Sequence, residues 1–140
     1  MSLLGKVVRW LLVPVAAAAI IVLTIMAGRG VVDLIDGRCP PQSMIGGACV
    51  EPWHTGAVEA VIYGATGLGV LALVIVPALV APSLQRSVAS AGALLGTGAV
   101  GAFYLLTTWA VVLPLLAVAV AAAALGLWWA WRRSNVHATV

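Results

Sequence analysis

The sequence predicts an all-α membrane protein, a bundle of four transmembrane helices with both termini cytoplasmic and one disulfide-closed outer loop. Of its 140 residues, 64% are hydrophobic and 8% are charged, whereas soluble domains are about 45–50% apolar and about 25% charged. A soluble fold of this length cannot bury so much apolar surface. One polar loop, at residues 29–56, interrupts the apolar chain, and the length fits a single domain over residues 1–140.

The first two spans are predicted at residues 9–28 and 57–81. A helix needs roughly 20 apolar residues to cross the hydrocarbon core, and the segment from Trp10 to Ala27 carries no charge. Pro14 lies near its start, where a missing N–H costs little. The basic flank before this run also occurs in cleavable signal peptides, but the run is long for one, so we expect a retained helix. The second span ends at Pro82.

The third and fourth spans are predicted at residues 88–107 and 110–131. The apolar stretch from Val88 to Trp131 is about twice the length of one span, so it should fold back once. We place the turn near Thr107 to Ala110, because Pro114 then falls in the first turns of the last helix. A re-entrant arrangement of this stretch is the alternative.

Lysine and arginine predict the orientation, because basic residues near span ends stay on the cytoplasmic side. One side of the predicted membrane carries most of them: Lys6, Arg9, Arg86, Arg132 and Arg133. The other side carries Arg29 and Arg38 together with every acidic residue: Asp33, Asp36, Glu51 and Glu59. Tryptophan and tyrosine residues mark both interfaces in agreement with this orientation. The net charge of +3 is thus a topology signal, and we expect no nucleic-acid partner.

The outer loop holds both cysteines of the chain, Cys39 and Cys49, which we predict to form a disulfide. A cross-link over so short a loop stabilises by roughly 2–3 kcal/mol in the chain-entropy model. A redox pair, a metal site or free thiols are the alternatives, but the spacing is not Cys-x-x-Cys. His54 and the nearby carboxylates show no metal-ligand spacing. The sequence therefore predicts no metal and no cofactor. The first part of the loop can continue the first helix to Asp36, and Gly37 can end it.

Glu59 is the ionisable residue closest to the lipid. Glu59, Tyr63 and Thr66 recur at i, i+4 and i+7 and so form one polar stripe on the second helix. Ionisable residues within a membrane are candidates for a proton or cation path. There are two alternatives. The stripe packs against another helix, or Thr55 caps the second helix and Glu59 complements its positive N-terminus from the first turn.

Glycines on the second and third helices predict close helix packing. Gly64 and Gly67 lie on the second helix, and Gly92 and Gly96 form a small-xxx-small pair on the third. Such residues let helix backbones approach closely in lipid. They pack the helices of this chain against each other or against an external partner.

The sequence contains no nucleotide-binding glycine loop and no nucleophile–base set. Our first hypothesis is therefore an accessory or assembly subunit of a larger membrane protein complex, which binds through glycine-rich helix faces. A small oligomeric transporter or channel that uses Glu59 is the alternative, and an enzyme ranks last. The expected partners are the lipid bilayer and other membrane subunits or further copies of the chain. Richness in alanine, valine and glycine favours a bacterial cytoplasmic membrane, with the cysteine loop in the periplasm.

Overall fold

The computed structural model describes residues 3–81, 83–106 and 109–136, which form four α-helices and one short hairpin. The helices are α1 (Leu3–Asp36), α2 (Pro52–Val80), α3 (Gln85–Leu106) and α4 (Trp109–Val136). The α1–α2 loop contains a 3₁₀ turn (Pro41–Ser43) and two strands, β1 (Met44–Ile45) and β2 (Ala48–Cys49). The predicted all-helical fold is confirmed. The predicted turn at residues 107–110 overlaps the start of α4, which begins at Trp109, and residues 107 and 108 lie outside the described part.

Helix α1 is much longer than its predicted span. Its 34 residues include Pro14 and extend for about 51 Å at 1.5 Å per residue. The helix continues past residue 28 to Asp36, and the N–H of Gly37 donates to the carbonyl of Asp33 at 3.0 Å. The expected extension of the first helix and its end at Gly37 are therefore confirmed.

The helices alternate in direction. A β-carbon added at Gly69 of α2 would lie 2.8 Å from Cγ2 of Thr24, and one at Gly28 would lie 3.5 Å from Cβ of Ala65, so α1 and α2 run antiparallel. Helix α3 also runs antiparallel to α2, with Gly92 beside Leu73. Helix α4 runs parallel to α2, as the following neighbours show: Gly67 with Val118, and Gly126 with Val74.

Helix α2 is the centre of the bundle and contacts all three other helices, whereas α1 packs substantially against α2 alone. The buried core consists of small side chains from three helices: Val70, Val74 and Ala78 of α2, Ala89 and Ala93 of α3, and Ala119, Ala122, Ala123 and Ala130 of α4. Within the described ranges α1 adds no buried residue to this core. The molecule is thus a three-helix core with a fourth helix attached to one side.

Three of the described helical segments are long and apolar enough to cross a membrane: Leu4–Asp36, Pro52–Val80 and Leu113–Arg133. This agrees with an integral membrane protein. Helix α3 has 22 residues, which is enough length for a span, but its described side chains are less apolar. Glycines such as Gly92 and Gly96, and polar residues such as Ser87, lower its hydropathy.

The alternating helices place the charges at two opposite ends of the bundle. We call the basic end the one with Lys6 and Arg9 of α1, Arg86 of α3, and Arg132 and Arg133 of α4. We call the loop end the one with the α1–α2 connection and all four acidic residues of the chain. The charge separation inferred along the sequence is therefore a separation in space.

Candidate functional site

The α1–α2 loop is closed by the predicted disulfide. Cys39 and Cys49 are bonded, with their Cα atoms 6.0 Å apart. The two strands pair antiparallel, with Met44 opposite Cys49 and Ile45 opposite Ala48. Gly46 and Gly47 form the two-residue turn and both have positive φ, +58° and +83°, which suits a primed hairpin turn. The sequence interpretation predicted the closure of this loop but missed the hairpin, whose signal is the Gly-Gly pair between two short apolar runs.

Two polar contacts attach this loop to the helices. The hydroxyl of Ser43 donates to a carboxylate oxygen of Glu51, which directly precedes α2. Nε2 of His54 lies 2.5 Å from Oδ1 of Asp36, joining the first turn of α2 to the last residue of α1. The ring of Trp53 meets that of His54 edge-on at 5.9 Å between centroids. His54 therefore lies in the first turn of α2 and is bonded to Asp36.

The described residues show no constellation of ligands for a metal. No group of three or more His, Cys, Asp or Glu side chains in the ranges 3–81, 83–106 and 109–136 is placed to hold an ion. The Asp36–His54 pair supplies two such side chains, and both cysteines are committed to the disulfide. What the loop does is to hold the ends of α1 and α2 together.

The structure corrects the interpretation of Glu59 as a first-turn residue. Helix α2 begins at Pro52, with Glu51 as its N-cap residue, so Thr55 lies inside the helix and does not cap it. Glu59 lies about two turns from the first residue of α2, and the helix has no acidic residue in its first turn. The helix-dipole explanation for Glu59 is therefore wrong, because that effect decays within the first turn.

The polar stripe lies on one face of α2, as its spacing requires, and its three side chains are all partly buried. Thr66 lines a cleft beside α1 together with Thr24. Glu59 and Tyr63 do not line that cleft or any other cleft described below. The clefts therefore do not continue the stripe beyond Thr66.

Most of the predicted packing glycines face helices of the same chain. A β-carbon at Gly92 would lie 2.3 Å from the carbonyl oxygen of Leu73, and one at Gly96 would lie 3.1 Å from the side chain of Val70. One at Gly67 would lie 3.0 Å from Val118. Gly64 differs from these three, because a β-carbon there would have no neighbour within 4 Å. Of the four glycines, Gly64 alone is open to an external partner.

Two clefts flank α1 because it packs mainly on α2. The first, the α1–α2 cleft, has a volume of about 580 Å³. Its walls include Ala27, Gly28 and Val31 of α1, and Val61, Gly64 and Leu68 of α2.

The second, the α1–α3 groove, lies between α1 and α3 with α2 as its floor. It consists of three adjoining cavities of about 410, 250 and 340 Å³. Helix α3 forms a wall of the first two, whereas the third, towards the loop end, is lined by α1 and α2 alone. The first two share Ile21, Leu73 and Leu95. The second and third share Thr24 and Thr66.

The groove follows α1 from Val13 to Val32, a length of about 28 Å at 1.5 Å per residue. That length is close to the roughly 30 Å thickness of a bilayer core. Sequence reasoning missed both clefts, because they depend on which face of α1 meets α2.

Comparison with known proteins gives no relative. No family model matches the chain, and no curated protein and no solved structure matches it. The functional conclusions below therefore rest on the residues and their geometry.

Proposed function

We propose that the chain is an integral membrane protein with four spans, its basic end in the cytoplasm and its cysteine loop outside. The separation of charge between the two ends supports this orientation, because basic residues near span ends are retained in the cytoplasm. At the basic end the guanidinium groups of Arg132 and Arg133 each lie 5.3 Å from the ring centre of a tryptophan, Trp128 and Trp129. Such aromatic and basic residues are typical of a membrane interface. The disulfide favours an oxidising compartment, such as a bacterial periplasm, for the loop.

Within that membrane we propose an accessory or assembly subunit of a larger protein complex. The observation that carries this proposal is the α1–α2 cleft around Gly64. Helices associate in lipid through close packing of small residues, and the cleft presents Ala27, Gly28 and Gly64 along its length. No side chain of the described residues covers Gly64. A transmembrane helix of another subunit can insert a ridge of side chains there, with its backbone close to α2.

A leucine at Gly64 tests this interface. Gly64→Leu fills the cleft and should abolish co-purification of the partner subunit from native membranes in a mild detergent. Gly98→Leu is the matched control, since Gly98 on α3 also has no neighbour within 4 Å of an added β-carbon. Both variants should keep the disulfide and the unfolding temperature of the wild type. Equal retention of the same partner by both variants would remove the cleft as the interface.

A small transporter or channel is the second candidate, and one observation favours it. Glu59 is partly buried about two turns inside α2, where a carboxylate has no role as a helix-dipole partner. In a transporter, Glu59→Gln should abolish proton or cation flux into vesicles, while the exposed Asp33→Asn at the loop end should leave it intact. An accessory subunit should give no flux above that of empty vesicles in any variant. Flux that survives Glu59→Gln would exclude Glu59 from the path.

A further inference from the structure

The α1–α3 groove differs in character between its two ends. Towards the loop end it is lined by Arg29, which has the acidic Asp33 one turn further along α1. Towards the basic end its walls are apolar and small, with Ala17 and Ala18 on α1 and Ala91 and Gly92 on α3. The basic-end cavity alone measures about 410 Å³, within the range of about 300–1,000 Å³ that small-molecule sites occupy.

The mouth of the groove at the basic end is positively charged. The lining ends at Val13 on α1 and Val88 on α3. Arg9 lies about one turn beyond Val13 and Lys6 about one turn further, and both share the face of α1 on which Val13 lies. No acidic residue of the chain belongs to this end, since all four lie between positions 33 and 59. An occupant of this part of the groove therefore has a long apolar part and an anion at one end.

We propose that the basic-end half of the α1–α3 groove binds an anionic phospholipid of the cytoplasmic leaflet. One acyl chain lies between α1 and α3 over Leu73 and Pro77, and the phosphate lies at the mouth near Lys6 and Arg9. This inference rests on the membrane location proposed above. It is independent of the accessory-subunit proposal, because that interface is the α1–α2 cleft.

A phospholipid fits this half of the groove better than a protein helix does. A single amphiphile satisfies both the apolar walls and the basic mouth, whereas a helix needs an added acidic side chain to meet the mouth. The acyl chain of the lipid makes dispersion contacts with the apolar walls of this half of the groove. At the loop end the same logic fails, because Asp33, Asp36 and Glu59 oppose an anion beside Arg29.

A photoreactive lipid tests the site. The full-length protein is placed in nanodiscs of phosphatidylcholine that contain a small fraction of phosphatidylglycerol with a diazirine in its acyl chain. Peptide mapping after illumination should find adducts concentrated on the facing walls, at residues 17–21 and 88–95. A phosphatidylcholine probe with the same diazirine should label these walls about tenfold less at equal concentration, because it lacks the net negative charge.

Two kinds of variant separate the apolar and the charged parts of the site. Ala18→Leu and Ala91→Leu fill the groove from opposite walls and should each remove the adducts, so that either one serves if the other misfolds. Ala19→Leu is the matched control, since Ala19 lies outside the groove lining. Arg9→Gln should reduce labelling by the anionic probe about tenfold. Arg132→Gln, at the same end on α4, should not.

The possible results divide clearly. Equal labelling by both probes, labelling that survives both leucine variants, or cross-links in the groove to a second copy or another protein would overturn the lipid site. Labelling of Leu11 and Leu12, exposed on α1 outside the groove, reports membrane insertion separately. Labelling there without labelling of the groove walls would refute the lipid site alone. Absence of labelling at both would refute the membrane location on which the proposal rests.

Discussion

Gly92 shows how one residue decides the packing of two helices. Pro77 of α2 has no N–H, so it leaves the carbonyl of Leu73, four residues earlier, without its helical hydrogen bond. Gly92 of α3 meets that carbonyl, and a β-carbon at this position would lie only 2.3 Å from the oxygen. Proline on one helix and glycine on the next therefore belong to a single contact between backbones.

Gly92→Ala should destabilise the protein. The added methyl group collides with backbone atoms, which cannot rotate away as a flexible side chain can, and overpacking of this kind costs about 1–3 kcal/mol. The measurement is the unfolding temperature in detergent, with circular dichroism as the signal that reports loss of helix. Gly98→Ala is the control, because an added β-carbon there meets nothing within 4 Å, and its stability should equal or exceed the wild type. An unchanged unfolding temperature for Gly92→Ala would show that α2 and α3 are further apart than described.

At the scale of the elements, hydropathy along the chain predicted where the helices lie better than how they meet. The four helices, the extension of α1 to Asp36 and the break before α4 follow from apolar length, Gly37 and Pro114. The attachment of α1 to α2 alone does not follow, because α1 is apolar on all sides and no face is marked as the inner one. Likewise, Gly92 and Gly96 could be recognised as packing residues, but their spacing does not say which helix they meet.

The start of α2 was misplaced for a physical reason. Thr55 is a favourable N-cap type and fits a start near residue 57, but proline is equally favourable at the first helical position, which Pro52 occupies. The helix begins at Pro52, and this earlier start brings His54 to Asp36. A contact between the ends of two helices depends on the path of the loop, which the sequence of either helix does not contain.

We expect the disulfide at the loop end to contribute measurably to the free energy of unfolding. Cys39→Ser with Cys49→Ser should lower the free energy of unfolding by roughly 2–3 kcal/mol in the chain-entropy model. Hydrogen exchange should rise in the hairpin at residues 44–49, while the core around Val74 stays protected, since the described core cluster contains no residue of the loop. The wild type in reductant is the control and should match the double variant. Equal protection of the hairpin in all three samples would mean that the contacts of Glu51 and His54 suffice to hold the loop.

At the scale of the whole molecule, the bundle is asymmetric in two directions. Along its axis, the basic end carries no acidic residue, and the loop end carries all four. Across its axis, α2, α3 and α4 share a core while α1 stands at the side with a cleft on each flank. We propose that the first asymmetry determines how the chain inserts, and that the second provides surfaces for a partner helix and a lipid. Neither surface competes with the other, because the two clefts lie on different flanks of α1.

The axial asymmetry leads to a prediction about topology that single cysteines can check. Ile45→Cys in the hairpin and Thr108→Cys in the predicted α3–α4 turn should react with a membrane-impermeant maleimide in intact cells. Ser2→Cys and Ala138→Cys, at the two termini, should react only after the membrane is opened. The unmodified chain is the control, since Cys39 and Cys49 are bonded to each other and should not react. Protection of Thr108→Cys in intact cells would show that α3 and α4 do not both cross the membrane. Protection of Ile45→Cys together with reaction at both termini would show the reverse orientation, and the basic mouth of the α1–α3 groove would then face the outer leaflet.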